Sequence, residues 1–324
     1  DCVDCGLNQT EATSINNVVT GIFNCVESDI PHNSGSLRRI EVRLRENCVV
    51  GIPRFPHSCS MATTNVAHWL VNLTQAAFAD LGYGFCLAEG GGATNVAFGV
   101  ISGKDWRHND EPFINQLILG VNGGPASPRS DGWVMYGLPV VGGLQHRDSI
   151  ELDELKHPIL IRSLRLVPDS GGAGKFRGAP GSEIVIGTRR NPMTIVVPCD
   201  MQENPPRGVR GGHGGAAART WKVDRDGAAS KLANFVTVTL QPGEWLCGTD
   251  NGGGGYGDPL ERDVERVARD VRERWVSRDV AARIYGVVLD DRGAVDHAAT
   301  RRQRAVLTRS SASEPDTFEQ MVSA

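Results

Sequence analysis

Residues 171–258 constrain the fold more than any other part of the chain. The stretch opens on Gly171-Gly172-Ala173-Gly174 and closes on Gly252-Gly253-Gly254-Gly255-Tyr256-Gly257-Asp258. Short β-type runs lie between, at 183–188, 194–197 and 235–240, separated by turns dense in Gly and Pro. Glycine loses more backbone entropy on folding than any other residue, so this density needs a cause. Either the backbone takes positive φ, or it presses against something that leaves no room for a Cβ. Tight turns between strands are the commoner cause. The functional alternative is an anion pocket built on Gly171, Gly172, Gly253 and Gly254. Neither loop fits a nucleotide fingerprint. The 171–175 run lacks P-loop spacing and the Ser or Thr that follows its Lys, and the 252–257 run leads into Asp258-Pro259 instead of opening a helix after a strand. No segment of this chain reads as a site for ATP.

A chain of 324 residues is long enough for a sizeable core and two domains. Its 34 basic and 38 acidic residues leave a net charge of -4, which gives no electrostatic case for nucleic acid or an acidic membrane. No apolar run approaches the roughly 20 residues that cross a bilayer. Eight cysteines are scattered. Cys2 and Cys5 have the gap of a zinc knuckle or redox pair, but no second pair follows at finger spacing. Scattered reduced thiols fit a cytoplasmic protein. The sequence begins at Asp1 without an initiator Met, and a processed or truncated piece is expected.

Periodicity predicts a helix at 10–26 with Ile15, Val18, Val19, Ile22 and Phe23 on its apolar stripe. A second is predicted at 64–81, burying Val66, Trp69, Leu70, Leu73, Ala77 and Phe78. The polar run 60–65 before it suits a cap or the presentation of N–H groups to an anion. Alternation predicts strands at 40–45, 114–119 and 159–167, the last with the phase slip of a bulge. Helices are expected at 263–276 and after Ser277, then a short strand at 285–289. The reading is an α+β chain: a mixed domain at 1–158, a Gly-rich antiparallel β domain at 159–258, C-terminal helices at 259–289 and a flexible tail at 290–324.

The middle of the chain is the most site-like. Arg129 and Asp131 stand in a turn beside Trp133, and Gln145, His146, Asp148, Glu151 and Glu154 follow. A His beside carboxylates makes a workable proton shuttle, although H-x-D-x-x-E is no recognised metal motif, and a solvated charged connection explains the run equally well. Arg129, Asp131, His146 and Glu151 are the candidate catalytic residues. Arg207 and Arg210, in what reads as a long flexible excursion at 205–215, are candidates for a phosphate or carboxylate. No metal ligands are assigned.

Four blocks carry a family resemblance: Ile30-Pro31-His32-Asn33-Ser34-Gly35-Ser36, Pro168-Asp169-Ser170-Gly171-Gly172-Ala173-Gly174-Lys175-Phe176-Arg177-Gly178, Gly252-Gly253-Gly254-Gly255-Tyr256-Gly257-Asp258-Pro259, and Val287-Val288-Leu289. In order and spacing they resemble the hydantoinase B, 5-oxoprolinase and acetone carboxylase large-subunit family. Members are longer, and their front part, with its His- and Asp-rich metal-binding segments, has no counterpart in this sequence. The resemblance therefore implies a shortened chain or a split subunit whose missing part comes from another polypeptide. It also implies a hydantoinase A-like partner that uses ATP to activate an amide, lactam or ketone, with a divalent metal (Mn, Zn or Mg) in the full complex and no cofactor on this chain alone. The first function implied is a component of a cyclic amide hydrolase. The second is part of a ketone carboxylase, and the third a non-catalytic scaffold. Glu151 matches the family's acidic residue, and its altered neighbours leave the substrate class open.

Overall fold

Alternating apolar side chains in the strands decide the architecture, because each strand buries one face. The computed structural model describes residues 1–26, 29–60, 65–92, 94–120, 122–139 and 146–311, the last with side chains to 308. One sheet has the order β2-β1-β5-β8, from β1 (Val100–Asp105), β2 (Glu111–Gln116), β5 (Met193–Pro198) and β8 (Phe235–Leu240). The other runs β3-β4-β9-β6-β7, from β3 (Ile159–Leu166), β4 (Ser182–Thr188), β9 (Trp245–Thr249), β6 (Arg219–Val223) and β7 (Ala229–Lys231). Every pairing is antiparallel. Ile101, Ile195, Val197 and Leu240 of the first sheet share one core with Ile159, Ile184, Ile186 and Leu246 of the second. Burying each such side chain contributes about 1.5–3 kcal/mol. The phase slip in β3 is a register shift between Ile161 and Ser163.

The α+β class holds, but the sheets disregard the expected boundary at 158. β1 pairs with β5, Val100 opposite Val196 and Gly103 opposite Met193, so strands on both sides of that boundary share a sheet. The strand expected at 40–45 is absent: only the isolated bridge of Glu46 with Ile52 forms. Alternation does not make a strand without a neighbouring edge to pair with.

α1 (Glu11–Phe23) starts where Thr10 caps it by accepting from the Thr13 N–H. The short α2 (Ser34–Leu37) is capped by Asn33. α3 (Ala67–Ala79) crosses α1 closely, since a Cβ on Gly21 would lie 2.6 Å from the Thr74 Cβ. Its buried side is not the apolar stripe predicted. Ala67, His68, Val71, Asn72, Gln75 and Ala79 are buried, whereas Leu73 and Ala77 are exposed. The physical reason is the neighbour. α3 faces peptide groups, and Asn72 exchanges two hydrogen bonds with the Gly90 backbone, at 2.9 and 3.0 Å.

α4 (Ile150–Lys156) is capped by Ser149. α5 (Val264–Arg272) and α6 (Arg278–Arg283, capped by Ser277) build a second core around Val267, Ala281, Tyr285 and Val287. The strand expected at 285–289 reduces to the bridge of Leu289 with Val295. The expected flexible tail contains α7 (His297–Ser311). Its inner side is polar, which hid it from an apolar-period reading: the Thr300 hydroxyl accepts from the Val288 N–H, and Arg304 donates to the carbonyls of Tyr285 and Arg262. Residues 312–324 lie outside the described residues.

Candidate functional site

Five chain segments stack against one another in the interior, at 89–92, 122–126, 170–179, 206–216 and 250–257. Gly91 N–H donates to the Gly123 carbonyl, Gly123 to Asn251, Gly172 to Gly253, Gly253 to Ala179, Gly254 to Glu89 and Gly255 to His213. A Cβ on Gly252 would lie 1.6 Å from the Ser170 carbonyl oxygen, and one on Gly253 1.9 Å from that of Gly124. The φ angles of these two glycines lie outside the left-handed region, so at 252 and 253 close backbone approach is what requires glycine, whereas Gly211 and Gly257 take positive φ. At these two positions that replaces the expectation of plain turns.

It also corrects the anion-pocket reading. The N–H groups of Gly172, Gly253 and Gly254 already donate to carbonyls, and Gly171 is packed on the Gly178 carbonyl. The 205–215 segment is a member of the stack, not a flexible excursion: Gly215 N–H donates to Pro206, and Gly212 lies against the Gly255 carbonyl. Arg207 grips the buried Glu89 carboxylate through its backbone N–H and guanidinium, at 2.7–3.0 Å. This locks two segments of the stack together and leaves Arg207 an ion-pair partner. Arg210 keeps the anion-binding possibility, in a groove of ≈400 Å³ that it lines with Arg207, Leu73 and Asp80.

The four expected catalytic residues are not joined by their contacts. Asp131 belongs to a buried ion cluster. It accepts from Arg262 at 2.6 and 2.9 Å, from Arg266 at 2.7 Å and from the Arg177 N–H at 2.9 Å. Arg262 is fully buried and reaches Asp270 at 2.7 Å as well. Burial alone would raise the Asp131 carboxyl, but the three arginines outweigh it and hold the carboxyl below its usual range. Such an Asp ties α5 to the glycine stack and is a poor proton acceptor. Glu151 is exposed in the first turn of α4 and accepts from Ser149 Oγ at 2.6 Å, which lowers its carboxyl further. His146 is exposed at the approach to α4. Arg129 lines a pocket of ≈260 Å³ beside Cys25 and Cys86. Gln145 lies outside the described residues.

Sequence reasoning passed over two places that meet at segment 198–202. The first is a cavity of ≈880 Å³, within the range of small-molecule sites. Pro168 to Ser170 and Thr249-Asp250 line it, the residues just before the two glycine runs, together with Gln202, Thr220, Arg219 and Lys231. Its wall is rigid: Ser182 Oγ donates to Asp250 at 2.6 Å, Thr220 to Asn95 at 2.9 Å, and Ser170 Oγ to the Val167 carbonyl at 2.6 Å. Arg219 and Lys231 are exposed cations on its rim. The available signal was that both glycine runs begin on polar residues.

The second place adjoins it. Asp200 Oδ2 lies 3.8 Å from Nε2 of the fully buried His68 and accepts from Asn65 Nδ2 at 3.1 Å. Burial raises the Asp200 carboxyl, with Asn65 opposing. A partly exposed carboxylate with raised proton affinity beside an imidazole is equipped to hold and pass a proton. Cys199 between the two places is no nucleophile, because burial pushes its thiol up to about 12. The helical spacing of His68, Asn72 and Gln75 was the overlooked signal. Among the described residues, no three His, Cys, Asp or Glu side chains stand together as a metal-binding set, so no chemistry is assigned to a metal here.

Two antiparallel sheets braced by a stack of glycine segments, with helices attached, define an α+β protein of one particular class. The Hydantoinase B/oxoprolinase family model matches residues 1–259, and the chain belongs to that family. It is 32% identical over 305 residues to the caprolactamase subunit beta of Pseudomonas jessenii, covering 92% of this chain and 52% of the relative. The crystal structure of the ATP-dependent caprolactamase from that organism superposes with a TM-score of 0.80 at 29% identity, covering 94% of this chain and 53% of the other. The nucleotide-free acetone carboxylase structure superposes at 0.77 with 19% identity, over 98% of this chain and 46% of the other, a likeness of fold alone. The chain thus spans about half the length of these relatives. No helix among the described residues is long and apolar enough to cross a membrane.

Proposed function

We propose that this chain is a portion of an ATP-dependent cyclic amide hydrolase that works with a hydantoinase A-like, ATP-binding partner in the cytoplasm. The similarity to the caprolactamase beta subunit along 92% of the chain supports this reading most strongly. An unactivated amide is a poor electrophile, and phosphorylation by the partner turns its oxygen into a leaving group. Completing hydrolysis then requires a place for the activated ring, control of protons and groups that meet developing negative charge. The ≈880 Å³ cavity offers the place, and its Arg219 and Lys231 rim suits a phosphorylated or carboxylate-bearing species. The His68 and Asp200 pair offers the proton site. A divalent metal in the assembled enzyme belongs to the same proposal and is assigned to no residue of this chain.

Assay of the protein assembled with its ATP-binding partner tests the reading. Caprolactam, 5-oxoproline and hydantoin are offered with ATP, and the expected result is ATP-dependent release of the ring-opened acid. Label from bicarbonate entering a stable product, with no amide opened, would replace it with the carboxylase reading. That second reading is supported by the 22% identity to the acetone carboxylase alpha subunit of Xanthobacter autotrophicus.

A further inference from the structure

Cys25 and Cys86, 61 residues apart, form a disulfide. This contradicts the expectation that all eight cysteines are reduced thiols. The pairing was invisible in the sequence because only the crossing of α1 and α3 brings the end of one helix to the loop that follows the other. In a reducing compartment a disulfide is usually transient or redox-sensing, so its surroundings matter.

The loop it holds, 82–87, has few other ties. Gly84 N–H donates to the Tyr256 hydroxyl at 3.1 Å, and that hydroxyl donates to the Phe85 carbonyl at 3.0 Å. The Phe85 N–H bonds only within the loop, to Gly82. Three of its residues have positive φ, Gly82 (147°), Gly84 (96°) and Cys86 (50°), and a non-glycine residue there needs its surroundings to hold it. Tyr83 and Phe85 are 53% and 51% exposed, and the loop's ring anchorage is the edge of Tyr83 on Tyr256, at 5.5 Å between centroids, with Lys175 over the Tyr83 ring. The next firm backbone tie is Ala88 N–H to the Ala126 carbonyl.

The disulfide is also reachable. Both cysteines line the ≈260 Å³ pocket, together with Ser127, Pro128 and Arg129. Cys25 is half-buried and Cys86 is 5% exposed, which makes Cys25 the sulfur open to attack. Arg129 lines the same pocket, and a cation there suits an incoming thiolate.

We propose that the Cys25–Cys86 disulfide is a redox clasp that fixes the 82–87 loop across the end of α1, and that a small thiol reductant opens it through the Arg129 pocket. The thiolate of the reductant bonds to Cys25 sulfur, the Cys25–Cys86 bond breaks, and Cys86 leaves as a thiolate and takes a proton. A second thiol of the reductant then displaces Cys25, which is also protonated. Two electrons and two protons pass to the protein, and the dithiol becomes a disulfide. The open loop is left hanging on Tyr256.

The full chain tests this with dithiothreitol as the reductant. Thiol titration in denaturant is expected to find six free thiols before reduction and eight after. Limited chymotrypsin digestion is expected to cut at Tyr83 or Phe85 at least roughly tenfold faster in the reduced protein, following the larger open population. The Cys25→Ser, Cys86→Ser double variant should be cut at the fast rate whether or not dithiothreitol is present. Eight thiols before reduction, or equal cleavage rates in the oxidised and reduced wild-type protein, overturns the proposal. Because the wild-type comparison needs no substitution, a double variant that fails to fold does not obscure the result.

Discussion

Removing the Asp131 carboxylate is expected to destabilise the protein more than any other single loss of charge discussed above. The substitution Asp131→Ala leaves Arg262 with no exposure and only Asp270 to balance it, while Arg177, also buried, already shares Asp270 at 3.1 Å. Two buried guanidiniums against one carboxylate is an uncompensated charge in a desolvated site. Breaking a buried pair from one side costs about 3–5 kcal/mol, most of it the penalty of the charge left behind. The comparison is Glu183→Ala, which breaks a pair with the 66%-exposed Arg165 and should cost about 1 kcal/mol or less. Urea denaturation at constant m reads both. Against a total of about 5–15 kcal/mol, the Asp131 loss moves the midpoint by a large fraction, or prevents folding of the α5–α7 region. The double variant Asp131→Leu, Arg262→Met removes the stranded charge and is expected to recover part of the loss. If Asp131→Ala costs no more than Glu183→Ala, or the double variant is worse than the sum of its parts, the account of the cluster is wrong.

Gly253→Ala places a Cβ 1.9 Å from a backbone oxygen, whereas Gly227→Ala meets nothing within 4 Å and carries only the strain of φ 83°. The first should lose soluble folded protein and the second about 1–2 kcal/mol, as thermal melts would reveal. Arg304→Ala removes donors to two carbonyls and should cost about 1–3 kcal/mol, read by denaturation of full-length protein. In acid, the Asp105 carboxyl, held at about 2 mainly by its hydrogen bond to Arg107, contributes stability that is fully present above its unfolded pKa of about 4 and lost as pH falls through about 2. Asp105→Asn should therefore flatten that part of the stability–pH curve. In the assembled enzyme, Arg219→Ala with Lys231→Ala should raise KM about tenfold or more if the rim meets an anionic group of the substrate, and an unchanged KM would remove the cavity from the proposal.

The sequence determined the elements whose cause is local or periodic. α1, the Ser277 cap of α6, the strands at 183–188, 194–197 and 235–240, and the bulge in β3 follow from side-chain period and hydrogen-bonding caps alone. The four glycine-bearing or short blocks placed the family, which the match over residues 1–259 bears out. Tertiary structure decided everything that depends on what lies opposite. Glycine at 252 and 253 looks the same in a turn as in a stack, until Ser170 and Gly124 are found where a Cβ would be. α3 turns its amides inward because its neighbour is backbone, so an apolar stripe drawn from the sequence points the wrong way. Asp131 reads as a candidate catalytic residue beside Trp133 and becomes a structural counter-ion only when Arg262, 131 residues along the chain, is folded onto it. Cys25 and Cys86 likewise meet only through a helix crossing. In each case the deciding partner is distant in sequence, and a side chain's role is fixed by the charge, shape and hydrogen-bonding capacity of that partner.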